Sequence, residues 1–175
     1  MIKLACNSLI AVGKDQWMDA EDFIEFAYQL RLDSVDFQLD RGLRSRDRDY
    51  LLRLKRACLE RGLPIGFLGI GSGSVGSTNL PGVGVVGAPL PRDELRRRID
   101  EVKAAVDDAA YIGAPCIRLF GGSIPEATEA SGALWFEMIT SYQEVADYAA
   151  DRGVFIGLHN HPPVGESTGD DIVRI

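Results

Sequence analysis

The 175-residue sequence predicts an α/β fold, a parallel (β/α) repeat that stops after about five strands. Three observations predict it. Short apolar runs alternate with helix-period segments from end to end. The later helix-to-strand joins share one pattern, a glycine followed within one or two residues by an apolar run, as in Arg61-Gly-Leu-Pro-Ile-Gly-Phe67, Ile112-Gly-Ala-Pro-Cys-Ile-Arg118 and Arg152-Gly-Val-Phe-Ile-Gly157. The sequence ends in the opening turns of one further helix. Strands alternating with helices of this length pair in parallel through right-handed crossovers.

The first apolar run covers residues 2–8. Lys3 followed by apolar residues is reminiscent of a signal peptide, but Asn7 and Ser8 interrupt them and Lys14-Asp15-Gln16 follow without a small-residue cleavage pattern. A buried first strand is the reading. Asp19 can cap a first helix with Phe23, Ile24, Phe26, Ala27 and Leu30 as its apolar stripe. The second strand is read at 34–39. Asp47 then opens a helix with Tyr50, Leu51, Leu54, Ala57 and Cys58 on one side, stopped by Gly62 and Pro64. The third strand spans 64–70. After a glycine-rich loop, Leu95, Ile99, Val102, Val106, Ala109 and Ile112 mark a helix over 91–112, with Arg96, Arg97 and Arg98 at its polar start. A fourth strand follows at 115–120. A fourth helix over 131–152 turns Leu134, Met138, Tyr142, Val145 and Ala149 inward, and a fifth strand covers 154–159.

Two architectures satisfy this order: an open doubly wound sheet, or part of a (β/α)8 barrel. Thr168 with Asp171 resembles a capping box, and Ile172, Val173 and Ile175 begin an apolar helix face. A domain seldom ends on a helix face just begun, and a full barrel needs about 250 residues. Residues 1–175 are therefore read as a single partial domain of the TIM-barrel type, truncated after about five strands. A complete five-stranded sheet with a short final helix is the alternative.

A formal net charge of -7 opposes binding to nucleic acid or to an anionic membrane, since both need a basic face. No stretch approaches the roughly 18 apolar residues of a membrane span. Cys6, Cys58 and Cys116 are scattered and odd in number, without metal-finger spacing. They read as core thiols of a reducing compartment, and a cytoplasmic location is expected. The loop 71–91 contains Gly71-Ser-Gly-Ser-Val-Gly76 and Gly82-Val-Gly-Val-Val-Gly87, both fitting G-x-G-x-x-G. Neither opens a helix at once, so a dinucleotide site is rejected in favour of a loop over the strand ends.

The fifth strand is the informative place. Leu158-His-Asn-His-Pro162 holds both histidines of the chain, two residues apart, at the carboxyl end of a strand. Residues i and i+2 point to one side, so His159 and His161 can face one site, and imidazole is a common ligand for divalent metals. The competing reading makes one a hydrogen-bonded rim residue and the other a solvated one. Asp36 and Arg118 are charges inside apolar strands, and each must be paired or point into a wet cavity. Pairing with each other or with a helix competes evenly with a substrate role. Asn7 and Ser8 end the first strand at the same rim, as hydrogen-bonding groups or as turn residues. Glu126 and Glu129 are read as loop residues.

The run Pro91-Arg-Asp-Glu-Leu-Arg-Arg-Arg-Ile-Asp-Glu-Val-Lys-Ala-Ala-Val-Asp-Asp-Ala-Ala-Tyr-Ile-Gly-Ala-Pro-Cys-Ile-Arg-Leu-Phe-Gly-Gly122 resembles the third helix and fourth strand of xylose isomerase-like TIM barrels, the sugar phosphate isomerase/epimerase superfamily. Leu32-Asp-Ser-Val-Asp-Phe37 is similar to that family's second strand, and residues 153–161 to its fifth. The resemblance implies a divalent metal (Mn, Mg, Co or Zn) at the barrel mouth, gripping adjacent oxygens of a sugar or keto-polyol, while a carboxylate moves the proton next to the carbonyl through an enediolate-like state. The family usually places a glutamate, both ligand and base, before Asn-His on strand five; here His159 stands there, with Asn160 and His161 matching. Asp36 stands where the second strand usually has glutamate. The family's remaining ligands, on strands six to eight, fall beyond Ile175.

The candidate site is thus Asp36 and His161 as catalytic groups, Asn7, Arg118 and Asn160 as substrate-binding groups, and His159 as a metal ligand. The expected function is a metal-dependent isomerase or epimerase acting on a small sugar or keto-polyol, with a homo-oligomer allowed. Histidine in place of the glutamate motivates the alternative, a hydro-lyase or lyase on a keto-sugar or inosose. The truncation motivates another, a non-catalytic barrel fragment with open sheet edges.

Overall fold

The computed structural model describes residues 3–14, 16–70, 91–120, 131–159 and 173. Its main sheet contains five parallel strands: β1 (Ala5–Asn7), β4 (Ser34–Gln38), β5 (Ile65–Gly69), β6 (Cys116–Phe120) and β7 (Phe155–His159). They lie side by side in chain order, β1-β4-β5-β6-β7, every pair parallel. Four helices connect them: α1 (Ala20–Gln29), α2 (Arg48–Glu60), α3 (Arg92–Ile112) and α4 (Ser131–Ala150).

The strictly sequential order decides between the two architectures. Right-handed crossovers between successive neighbours place every helix on the same face of the sheet, whereas a doubly wound sheet reverses its order at a switch point. Each helix accordingly packs on the next, α1 on α2, α2 on α3 and α3 on α4, as a single layer. The chain has the arrangement of a TIM barrel's consecutive units.

The core lies between that layer and the sheet's outer face. Val35 and Phe37 of β4, Leu68 of β5, and Ile117 and Leu119 of β6 are fully buried, as are Leu51 and Leu54 of α2, Val106 of α3, and Met138 and Val145 of α4. Phe23 of α1 meets Phe37 edge-on, ring centroids 6.0 Å apart. Both aspartate caps form as the sequence predicts: Asp19 accepts from the Glu21 N–H and Asp47 from the Tyr50 N–H, each at a helix end with donors otherwise unpaired. The joins also form alike, with Gly62, Gly113 and Gly153 at φ 65, 90 and 66°, the left-handed turn that glycine adopts without a Cβ penalty.

Several details differ from the sequence reading. The first strand is Ala5–Asn7, shorter than 2–8, with Ile2 outside the described residues. A small antiparallel hairpin, β2 (Ala11–Gly13) with β3 (Gln16–Trp17), follows it. Strands of three and two residues are too short to carry a period, so the sequence gives no warning of them. The buried stripe of α1 is Ala20, Phe23, Ile24 and Ala27, an i, i+3, i+4, i+7 set, while Phe26 and Leu30 fall off it and are exposed. In the arginine run, Arg96 and Arg97 lie on the surface, but Arg98 is buried and its Nε donates to Glu94 at 2.9 Å. Helix α4 ends at Ala150, two residues early. Val173 is helical and exposed. The loop 71–90, Glu126 and Glu129, the side chain of Leu134, Thr168, Asp171, Ile172 and Ile175 lie outside the described residues.

Candidate functional site

Residues paired across a parallel sheet point to the same side. Val35, Phe37, Leu68, Ile117 and Leu119 point outward to the helices, so their strand neighbours point to the inner face. Asn7 pairs with Asp36 there. One step toward the carboxyl ends, Gln38 pairs with Gly69, Gly69 with Arg118 and Arg118 with Gly157. His159 lies two residues beyond Gly157 on the same face. Asp36, Arg118 and His159, three of the residues singled out in the sequence, thus share the inner face of consecutive strands.

The row is held by hydrogen bonds. The Nη2 of Arg118 donates to Gln38 Oε1 at 2.7 Å, and its Nη1 donates to His159 Nδ1 at 3.3 Å. Gln38 Nε2 donates to Asp40 Oδ1 at 2.7 Å, so its amide is oriented at both ends. The guanidinium lies over the Phe67 ring, 5.6 Å from its centroid. The glycine between them makes this reach possible. A Cβ on Gly69 would overlap Gln38 Oε1 and lie 2.7 Å from Arg118 Nη2.

Asp36 sits one layer deeper, only 8% exposed. The register of β5 slips between Val35 and Phe37, so Asp36 faces both Gly66 and Phe67. The Phe67 N–H donates to Asp36 Oδ1 at 3.2 Å, and a Cβ on Gly66 would overlap that same oxygen. Burial pushes the Asp36 carboxyl above its ordinary value, opposed by the Phe67 N–H and the charge of Arg118. Burial likewise pulls the Arg118 guanidinium down, while Asp40 and Asp36 oppose it.

The remaining candidates divide. Asn7 Oδ1 accepts from the Leu9 N–H at 3.0 Å, so Asn7 forms the turn that ends β1. Ser8 is fully buried, and its hydroxyl accepts from the Gln38 N–H at 3.0 Å, tying β1 to β4. Cys58 is buried with its thiol pushed up to about 12, and burial raises the partly buried Cys116 as well, both away from the thiolate form. Asn160 and His161 lie outside the described residues. Sequence reasoning passed over Gln38 and Asp40, although Gln38 follows Asp36 at the i+2 spacing of a shared face. It also passed over Gly66 and Gly69, whose signal was glycine inside an apolar strand.

The described residues do not by themselves fit a metal centre. Among them no group of three or more His, Cys, Asp or Glu is placed to hold an ion. Among the described residues the imidazole at the site, His159, accepts a hydrogen bond from a guanidinium, the reverse of the carbonyl or carboxylate that ordinarily backs a metal-bound histidine.

The fold has clear counterparts among solved structures. It is similar to a xylose isomerase domain protein from Planctomyces limnophilus, with a TM-score of 0.65 and 19% identity, over 98% of this chain and 56% of that one. It is similar to a D-psicose 3-epimerase from Clostridium cellulolyticum H10, with a TM-score of 0.62 and 16% identity, over 89% and 51%. A 3-keto-D-glucoside 4-epimerase from E. coli matches with a TM-score of 0.65 and 12% identity, over 90% and 56%. The chain spans about half the length of these structures. No curated protein matches it significantly. The family model for the xylose isomerase-like TIM barrel matches residues 22–175. With sequential parallel strands, one helical layer and that match over most of its length, the chain belongs to the xylose isomerase-like TIM barrel family.

Proposed function

We propose that this chain forms part of a sugar or keto-polyol isomerase or epimerase that moves a proton alpha to a carbonyl through an enediolate-like intermediate. The observation that most supports the reading is the polar row on the inner face, Asp36 below and Gln38, Arg118 and His159 above, at the carboxyl ends of consecutive strands in a family whose chemistry sits at that rim. The sugar epimerases among its structural counterparts support a sugar as the substrate class.

Asp36 is the proton-moving carboxyl of this reading. Its burial disfavours the charged form and raises its proton affinity toward the range a general base needs. Arg118 and His159 orient and polarise the substrate oxygens, with Gln38 and Asp40 fixing Arg118 in place. Asn160 and His161, next in the sequence after His159, complete the proposed set, His161 as a second catalytic group and Asn160 on substrate hydroxyls. A divalent metal at this mouth would take its ligands mainly from residues other than those described.

The test uses the whole natural protein with D-fructose, D-psicose and D-tagatose in D2O. An isomer carrying solvent deuterium at the carbon next to the carbonyl supports the isomerase. A product lighter by one water supports the second reading, a hydro-lyase, which His159 favours by standing where the sequence resemblance calls for a glutamate.

A further inference from the structure

We infer that Arg118 locks His159 as the tautomer protonated at Nε2, so that the imidazole offers a hydrogen-bond donor to a carbonyl or enediolate oxygen rather than a lone pair to a cation. Arg118 Nη1 lies 3.3 Å from His159 Nδ1. A guanidinium carries five N–H donors and no acceptor, so the Nδ1 side of this bond must be the lone pair. A neutral imidazole then has its single proton on Nε2. Protonating Nδ1 would aim one N–H at another, beside a fixed positive charge.

The lock holds only if Arg118 cannot turn away. Its other terminal nitrogen is bound to Gln38 Oε1 at 2.7 Å, and Gln38 cannot flip its amide. A flipped amide would set its NH2 against the guanidinium and its oxygen against the Asp40 carboxylate, losing both bonds. Phe67 closes the space beneath the guanidinium, and Gly69 leaves open the gap it spans. Arg118 therefore donates to both sides, through Gln38 toward Asp40 on one and to His159 on the other, and the second bond takes up the Nδ1 lone pair. A metal-bound histidine has the opposite polarity, its second nitrogen donating to an acceptor and its ring basicity raised thereby. Besides its own part in the proposed site, Arg118 thus positions His159.

The sugar oxygen as acceptor rests on the function proposed above; the tautomer does not. The deciding measurement is a long-range 1H–15N correlation spectrum of the 15N-labelled whole protein, with His159 assigned by its absence in His159→Gln. The expected result is an unprotonated Nδ1 and a protonated Nε2 in the native protein, with both resonances moving toward a tautomer average in Arg118→Met. A protonated Nδ1 in the native protein overturns the inference. Titration with Mn2+ alone provides an independent readout. His159→Gln should match the native protein within about twofold, no binding by either included; a loss of about tenfold or more, the scale seen when a metal's supporting shell is broken, makes His159 a ligand and overturns it. A protein with the Nε2–H tautomer and no action on ketohexoses would remove the sugar reading and leave the lock standing.

Discussion

At the residue scale the site is made by what two glycines leave out. Gly66 and Gly69 lie on the inner face of β5, and each yields its side-chain space to a polar group from the next strand, Asp36 in one case and the Gln38–Arg118 pair in the other. Gly69→Ala should break the Gln38–Arg118 bond or push β5 away, at a cost of about 1–3 kcal/mol for overpacking a filled site. Urea denaturation measures it, and an unchanged midpoint would show that the neighbours yield freely. Asp36 gives a pH-dependent counterpart. Its carboxyl binds protons more tightly folded than unfolded, so its contribution to stability is present below the ordinary carboxylate value and is lost as pH rises through the elevated one. Asp36→Asn keeps an oxygen for the Phe67 N–H and removes the buried charge. The variant should unfold at higher urea than the native protein at neutral pH, and the gain should disappear in acid, where the native carboxyl is protonated in both states. A variant weaker at neutral pH would mean that Arg118 stabilises the carboxylate more than burial opposes it.

At the element scale the helices are set by their ends and the strands by their neighbours. Asp47 caps α2, whose Tyr50, Leu51, Leu54 and Cys58 are buried against the sheet and the adjoining helices. Asp47→Ala removes one acceptor from the helix start and should cost about 1 kcal/mol, read as a lowered thermal midpoint. No change would mean that another group takes over the cap. Helix α3 starts without a side-chain cap at Pro91, and Glu94 in its first turn stands in, bound to Arg97 and Arg98, which hold its carboxyl down at about 2. These elements were legible in the sequence because caps, glycine stops and helical periods are local signals. The hairpin β2–β3 was not, since strands of three and two residues carry no period; beside it Met18 N bonds to Ile10 O and Ala20 N to Gly42 O. The short first strand was over-read for the same reason: Lys3 and Leu4 are apolar-run neighbours in sequence but lie outside the paired segment.

At the scale of the whole molecule, order along the chain and order across the sheet coincide, and the parallel run of the five main strands puts their carboxyl ends at one rim. The sequence pattern could reach the alternation and the two charged strand residues, Asp36 and Arg118. It could not reach the row itself, because register decides which residues share a face, and a one-residue slip beside Asp36 decides that Phe67 and Gly66 both meet it. Nor could spacing find the direction of the Gln38 amide, which comes from Asp40 and Arg118 together. Among the described residues no helix is long and apolar enough to cross a membrane. That the inner-face row acts on substrate is tested by the rate at which solvent deuterium enters a ketohexose at the carbon beside its carbonyl, comparing the whole natural protein with an Arg118→Met variant whose circular dichroism is native. Loss of one preorganised donor should slow the exchange by about 100-fold or more; exchange at the native rate in the variant would contradict the claim.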